Sequence, residues 1–158
     1  MKKHWFLVLF LTILATRLRL YRLDTPLADW HSFRQADTAS VTREFVKHNY
    51  PIWEPHFQDH SNIASGLDNP DGYRMVEFPL VNYLIAGAIR LQPQLNLVTT
   101  SRLFSIGFSI LGLVSLYGFV YLLSKRRALA FLSGLIFAAL PYSVFYSRVI
   151  LPEPAMLG

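Results

Sequence analysis

The chain has no cysteine among its 158 residues. It can therefore form no disulfide, no thiolate metal site and no cysteine nucleophile, and its redox compartment stays undetermined. Charged residues are also scarce at 16%, whereas an average soluble domain has about 25%. Hydrophobic residues make up 53% of the chain and aromatic residues 15%. This composition favours a membrane protein with aromatic side chains at the lipid–water boundary.

The net charge of +5 raises the question of a nucleic-acid partner. The basic residues flank apolar runs, however, as Lys2 and Lys3 do at the start and residues 125–127 do near the end. Because this is the arrangement that orients membrane helices, we expect membrane anchoring and no nucleic-acid partner. The sequence stops soon after a long apolar segment, which indicates the N-terminal part of a longer protein. We expect this part to be inactive by itself.

Apolar segments predict an all-α membrane protein with several spans. Residues 1–23 are interpreted as a first transmembrane helix rather than a signal peptide, since no small-residue cleavage site is evident. Residues 102–124 and 128–148 are also predicted to be transmembrane helices, because a span needs about 20 residues. Residues 76–91 contain too short an apolar stretch to cross. They predict an interfacial or re-entrant helix led by Pro79.

The polar segment 24–75 is predicted to be a large external, periplasmic loop that carries short helices. It is too long for a simple connector, and its aromatic content argues against disorder. The pattern of residues 37–49 predicts an amphipathic helix that Asp37 could cap, with Ala39 and Phe45 on one face. The positive-inside rule places residues 149–158, the start of a second acidic segment, on the same side of the membrane.

Two further features precede or lie within the spans. Arg17, Arg19 and Arg22 follow the first apolar run and would extend toward lipid head groups or face a polar cavity. Small residues recur at helical spacing in the next span and predict a face for close helix packing rather than a site. These are Ser101, Ser105, Ser109, Gly112 and Ser115.

Acidic residues gather at the predicted outer face, at Asp29, Asp37, Glu77 and Glu153. A carboxylate close to the bilayer is costly unless it is paired or functional. Carboxylates beside arginines suit group transfer from a lipid-linked phosphate. The carboxylate can accept a proton from an acceptor hydroxyl, and arginine can stabilise the charge that grows on the leaving phosphate.

The stretch "RLRLYRLDTPLADWHSFRQADTA", followed by "VEFPL" and "SRVILPEP", resembles the start of GT-C superfamily glycosyltransferases. The resemblance is to the branch of the protein O-mannosyltransferases and the lipid A aminoarabinose transferase, and it covers essentially the whole chain. The chain departs from that branch in three respects. Trp30 follows Asp29 where a second acid is common, the short helix has one proline, and the later acid is Glu153 rather than Asp.

The resemblance implies a GT-C helical bundle in a bacterial inner membrane that transfers a sugar, with inversion, from a polyprenyl-phosphate donor to a lipid, glycan or protein acceptor. It also bears on the site residues, and it leaves the cofactor open, with a divalent metal ion as one candidate. Asp29 would be the catalytic base and Glu153 a second carboxylate. Arg102 and Arg148 would contact the donor phosphate. By their closeness to Asp29 in the sequence, His31, Arg34 and Asp37 would contact substrates, although an ordinary salt-bridged loop explains His31 and Arg34 equally well. Glu77 would be a metal ligand or contact the acceptor.

Other interpretations stay open. Asp29 could be a turn or helix-cap residue, and Arg102 and Arg148 could be interfacial anchors. A metal site at His56 and His60 is disfavoured, since prolines place both in a loop. The whole protein could instead be a transporter or flippase for a lipid-linked or anionic solute, or a non-catalytic assembly subunit.

Overall fold

A computed structural model of the protein describes residues 2–28, 31–61 and 66–157. These residues form helices and no β-strand, which confirms the all-α class for them; His56 and Tyr73 make one isolated β-bridge. The helices are α1 (Lys2–Arg19), α2 (Ser32–Lys47), α3 (Leu80–Leu91), α4 (Leu97–Ser124), α5 (Arg127–Ala139), α6 (Pro141–Tyr146) and α7 (Glu153–Leu157).

One of the described helices, α4, is long and apolar enough to cross a membrane. Its 28 residues have a most apolar window of mean hydropathy 2.0, and at 1.5 Å per residue they extend over about 42 Å. The hydrocarbon core of a bilayer is about 30 Å thick. Helices α3 and α5 are apolar but shorter. A multi-span bundle therefore stays a prediction.

The segment 128–148, predicted to be one span, consists of two helices. Helix α5 ends at Ala139, and α6 begins at Pro141. The cause is Pro141 itself, because it has no backbone N–H to donate to the carbonyl of Phe137 and its ring clashes with the preceding turn. The first helix also ends earlier than predicted, at Arg19 rather than residue 23, in a turn where Arg22 has a φ of 54°.

The prediction that Asp37 caps a helix is wrong. Helix α2 begins at Ser32, five residues before Asp37, because residues 32–36 are compatible with a helix. Asp37 therefore lies within the helix, and His31 occupies the N-cap position with a left-handed φ of 58°. Ala39 and Phe45 are buried, as the amphipathic pattern predicts.

The chain divides into two compact units. Unit 1 comprises Met1–Leu23, Ser105–Val149 and Glu153–Gly158, and unit 2 comprises Asp24–Phe104 and Ile150–Pro152. Helix α4 begins in unit 2 and continues in unit 1. The buried core of unit 1 joins α1, α4 and α5 and is formed by Leu11, Ala15, Leu113, Tyr117, Ala130 and Ala138.

Unit 2 is built on the packing of α3 against α2. Val41 and Phe45 of α2 pack with Ala86 of α3. The Asn82 amide is buried in this contact and donates to the Thr38 carbonyl (2.7 Å) and the Thr42 hydroxyl (3.0 Å). Burying the amide is tolerated because both hydrogen bonds are made, and they fix the register of the two helices.

The α1–α5 contact is tightest at Gly134, where an added Cβ would lie 2.7 Å from the Leu11 Cδ1 atom. We expect Gly134→Leu to destabilise unit 1 by about 1–3 kcal/mol through overpacking. Gly118→Leu on α4 is the matched control, since nothing lies within 4 Å of its added Cβ. Both changes improve helix propensity by roughly 1 kcal/mol, so thermal unfolding in detergent isolates the contact. Equal midpoints would contradict the packing described here.

Candidate functional site

The predicted catalytic base, Asp29, lies outside the described residues together with Trp30. The remaining predicted site residues fall into two groups. His31, Arg34, Asp37, Glu77 and Arg102 belong to unit 2, and Arg148 and Glu153 belong to unit 1.

Four charged side chains of unit 2 form an ion-pair cluster, defined here as Arg34, Asp37, Arg74 and Glu77. Arg34 Nη2 lies 3.8 Å from the Glu77 carboxylate, and Arg74 Nη1 lies 3.4 Å from that of Asp37. Arg34 and Asp37 are three residues apart on α2 and so project on neighbouring parts of its surface. The structure thus brings together Arg34, Asp37 and Glu77. Because all four side chains are partly exposed, each pair contributes at most about 1 kcal/mol of stability.

Arg102 and His31 have different surroundings in unit 2. Arg102 is 3% exposed, and its Nη1 donates to the Thr25 carbonyl at 2.5 Å. It therefore fastens the first residues of the loop to the start of α4. His31 is exposed at the start of α2, with its ring centroid 6.2 Å from that of Phe33.

Glu153 lines a cavity of about 160 Å³ within unit 1, called here the Glu153 cavity. Its other lining residues are Ser109, Gly112, Phe137, Tyr142, Ser143, Tyr146, Ser147 and Pro154. Nine of the chain's ten Asp and Glu residues lie within residues 24–104, and Glu153 is the tenth. Unit 1 therefore keeps one acidic side chain, and that side chain is at its cavity.

A buried cation lies behind three serines of this cavity. The Arg19 side chain is fully buried. Its Nε donates to the hydroxyls of Ser109 (3.2 Å) and Ser147 (2.5 Å), and its Nη2 donates to that of Ser143 (3.1 Å). No carboxylate among the described residues lies within 4 Å of the Arg19 guanidinium. A positive charge that is shielded from water acts strongly on neighbouring groups.

The same guanidinium also donates hydrogen bonds to the backbone at the break between α5 and α6. It donates to the carbonyls of Phe137 (3.3 Å) and Ala138 (3.0 Å). These carbonyls lie at the C-terminal end of α5, where partial negative charge accumulates. Pro141 cannot supply an N–H to Phe137, so Arg19 provides the missing donor.

Arg148 is half-buried and donates through Nη1 to the Tyr21 carbonyl. This bond ties the segment after α6 to the turn after α1. Arg148 thus has a backbone hydrogen-bond partner within unit 1. Its role at a donor phosphate stays a prediction.

The histidines of the loop are held by backbone and aromatic groups. His56 stacks between Tyr50 and Tyr73, with ring centroids at 4.0 and 4.3 Å. Its Nδ1 donates to the Asp71 carbonyl at 2.7 Å, and the Nδ1 of His60 donates to that of Pro70 at 2.6 Å. These contacts give the imidazoles a part in folding the loop.

A divalent metal in unit 2 would need the carboxylates of Glu77 and Asp37, and both are already paired with arginines. Glu77 faces Arg34, and Asp37 faces Arg74. Within residues 2–28, 31–61 and 66–157, no three His, Asp or Glu side chains are placed to share an ion. The role of Glu77 as a metal ligand therefore stays a prediction, and no step below is assigned to a metal.

The hydrogen bonds from Arg19 to the three serines and to the Phe137 and Ala138 carbonyls, called here the Arg19 clamp, were not predicted from the sequence. The sequence predicts that Arg19 reaches head groups or a polar cavity and that Ser109 belongs to a packing face. The only local signals were an arginine at the end of an apolar run and serines near the proline break. The contacts themselves join residues 90 to 128 positions apart.

No protein-family model, curated protein or solved structure matches this chain. The geometry of the two units therefore carries the functional interpretation, beside the resemblance stated above.

Replacing Arg19 tests the clamp. We expect Arg19→Met to destabilise unit 1 strongly, because each buried carbonyl left without a donor costs about 1–3 kcal/mol. Arg19→Lys should be intermediate, since one ammonium cannot span the same acceptors. The control is Arg17→Met, because Arg17 is exposed on the same helix. The measurement is thermal unfolding in detergent, and similar losses for the Arg17 and Arg19 variants would refute the clamp.

Proposed function

We propose that the protein is a membrane glycosyltransferase of GT-C type that uses a polyprenyl-phosphate sugar as donor. The observation that carries the proposal is the Glu153 cavity. A single carboxylate sits at a cavity that is lined by aromatic rings and serines and belongs to the unit containing most of α4. Such a cavity suits a ligand with an apolar part and a polar reacting group.

The electrostatics of unit 1 support an anionic donor. Nine Lys and Arg residues belong to this unit beside the one acid. The buried charge of Arg19 polarises the hydroxyls of Ser109 and Ser143, which line the cavity. A phosphate oxygen is the kind of group that such hydroxyls bind. The leaving phosphate would gain the same stabilisation as its charge grows.

The reaction transfers a glycosyl group between two oxygens. The acceptor hydroxyl oxygen forms a bond to the anomeric carbon, while the bond from that carbon to the phosphate oxygen breaks. The phosphate leaves with the bonding electron pair. A carboxylate takes the proton of the acceptor hydroxyl. We assign this proton to Asp29, with Glu153 as the second carboxylate, and the resemblance implies inversion at the anomeric carbon.

The ion-pair cluster suits an acceptor-binding role. Arg34, Asp37 and Glu77 are partly exposed, so they offer donors and acceptors to a polar ligand without a large desolvation cost. His31, exposed one turn before Arg34, extends this polar surface. The acceptor would be a lipid, glycan or protein at the outer face of a bacterial inner membrane.

A transporter is the alternative in the same membrane. It would place ionisable side chains along a path within its spans. Residues 103–123 of α4 contain no Asp, Glu, His, Lys or Arg, and the Arg19 donors are taken by serines and carbonyls. These observations favour the transferase.

The test measures transfer of radiolabelled sugar from polyprenyl-phosphate donors in membranes that contain the intact protein. We expect Asp29→Asn to abolish transfer at matched expression, since an amide cannot accept the proton. Glu153→Gln should reduce transfer by at least about tenfold, which corresponds to about 1.4 kcal/mol of transition-state stabilisation.

Asp68→Asn serves as the control, because Asp68 is an exposed loop carboxylate of unit 2. It should transfer as the wild type does. Normal transfer by the Asp29 variant, or no transfer by the wild type with any donor, would reject the proposed function.

A further inference from the structure

We propose that unit 2 rests on the lipid–water interface of the bilayer through an apolar surface built from two parts, a groove and one side of α3. This surface, called here the docking face, consists of Trp53, Met75, Val76, Phe78, Leu80, Leu84 and Leu91. The proposal does not depend on the glycosyltransferase function.

The first part of the docking face is a shallow groove. Trp53, Met75, Val76 and Phe78 all line it, beside Glu77. Trp53 is 67% exposed and Phe78 is 68% exposed. A run of large apolar side chains held open to solvent is unusual for a water-soluble surface and marks a site of interaction.

The second part is the outer side of α3. Asn82, Ile85, Ala86 and Ile89 of this helix are buried, and α3 packs against α2. At 100° per residue, Leu80, Leu84 and Leu91 lie on the opposite side. All three are exposed, Leu91 to 90%. A surface helix of a soluble domain carries polar residues on that side, whereas α3 is apolar on both.

The occupant is a bilayer because of where α4 begins. Helix α4 is the span-length helix of the described chain, and it starts at Leu97, six residues after α3 ends. Its first residues, up to Phe104, belong to unit 2 itself. When α4 crosses a membrane, unit 2 must therefore lie where that helix enters the lipid. An exposed Trp and Phe beside aliphatic side chains suit this region.

The helix lies along the interface rather than entering it. Its 12 residues extend over about 18 Å, well short of the bilayer core. Its inner side packs on α2, whose Arg43 and Lys47 side chains are partly exposed and charged, so that side must stay at the level of the head groups. The carboxylate of Glu77, in the groove, is then held at the same depth.

Because the chain has no cysteine, a single introduced cysteine can be spin-labelled without first removing native thiols. Single variants Leu84→Cys and Leu91→Cys each carry a nitroxide in lipid nanodiscs that contain the purified protein alone. We expect oxygen to relax both labels several-fold more, and a water-soluble nickel chelate several-fold less, than at Lys47→Cys. Lys47 is the matched control, because it is an exposed position on α2 of the same unit. Circular dichroism confirms that each variant is folded.

Three results would overturn the docking face. Labels at positions 84 and 91 that behave like the Lys47 label would show that α3 faces water. Low access to both reagents would show that protein, such as a second copy, covers the face. A steep increase in depth from position 84 to 91 would describe a helix that enters the bilayer.

Tryptophan fluorescence provides a second readout, on the groove that Trp53 lines. The chain has three tryptophans, so Trp5→Phe with Trp30→Phe leaves Trp53 alone. Brominated lipids should quench Trp53 emission severalfold more than soluble iodide does. Equal or stronger quenching by iodide would remove the groove from the docking face.

Discussion

The Arg19 guanidinium is the interaction on which unit 1 depends. It joins the end of α1 to Ser109 of α4 and to the break between α5 and α6. A buried cation is expensive unless its donors are satisfied, and two of the carbonyls that accept from it are available because Pro141 interrupts the helix. The break at Pro141 and the burial of Arg19 therefore depend on each other. Without the arginine the break would leave a buried acceptor, and without the break the arginine would lack two of its partners.

This arrangement also shapes the Glu153 cavity. The break turns the chain so that Tyr142 and Tyr146 of α6 line the same space as the serines that hold Arg19. An uninterrupted helix through residue 147 would continue as a rod and would not return these side chains to the cavity. The clamp thus contributes structure and electrostatics at one place, because the serines that accept from the cation are also part of the cavity wall.

Sequence reasoning succeeds here where the signal is local. The long uncharged run predicts α4, and the short run after Pro79 predicts α3, because hydropathy and proline act within one or two turns. The start of α2 was misplaced because Asp37 is also a favourable capping residue, and its pairing with Arg74 lies far along the chain. The break at Pro141 had a local signal that an apolar pattern on both sides obscured. The partners of Arg19 had none, since they depend on the packing of three helices.

The distribution of acidic residues follows from the same physics. A carboxylate in an apolar unit is costly, and unit 1 contains only Glu153, which is exposed, whereas Asp37 and Glu77 of unit 2 are paired with arginines. A glutamine at position 153 would keep the size of the side chain and one accepting oxygen, but it would replace the second oxygen with an NH2 donor and remove the charge. Glu153 begins α7, where a negative charge also stabilises the helix N-terminus, and it lines the cavity, so a structural role and a chemical role are both open to it. That contrast makes the glutamine variant of Glu153, with its stability preserved, the informative substitution in this unit.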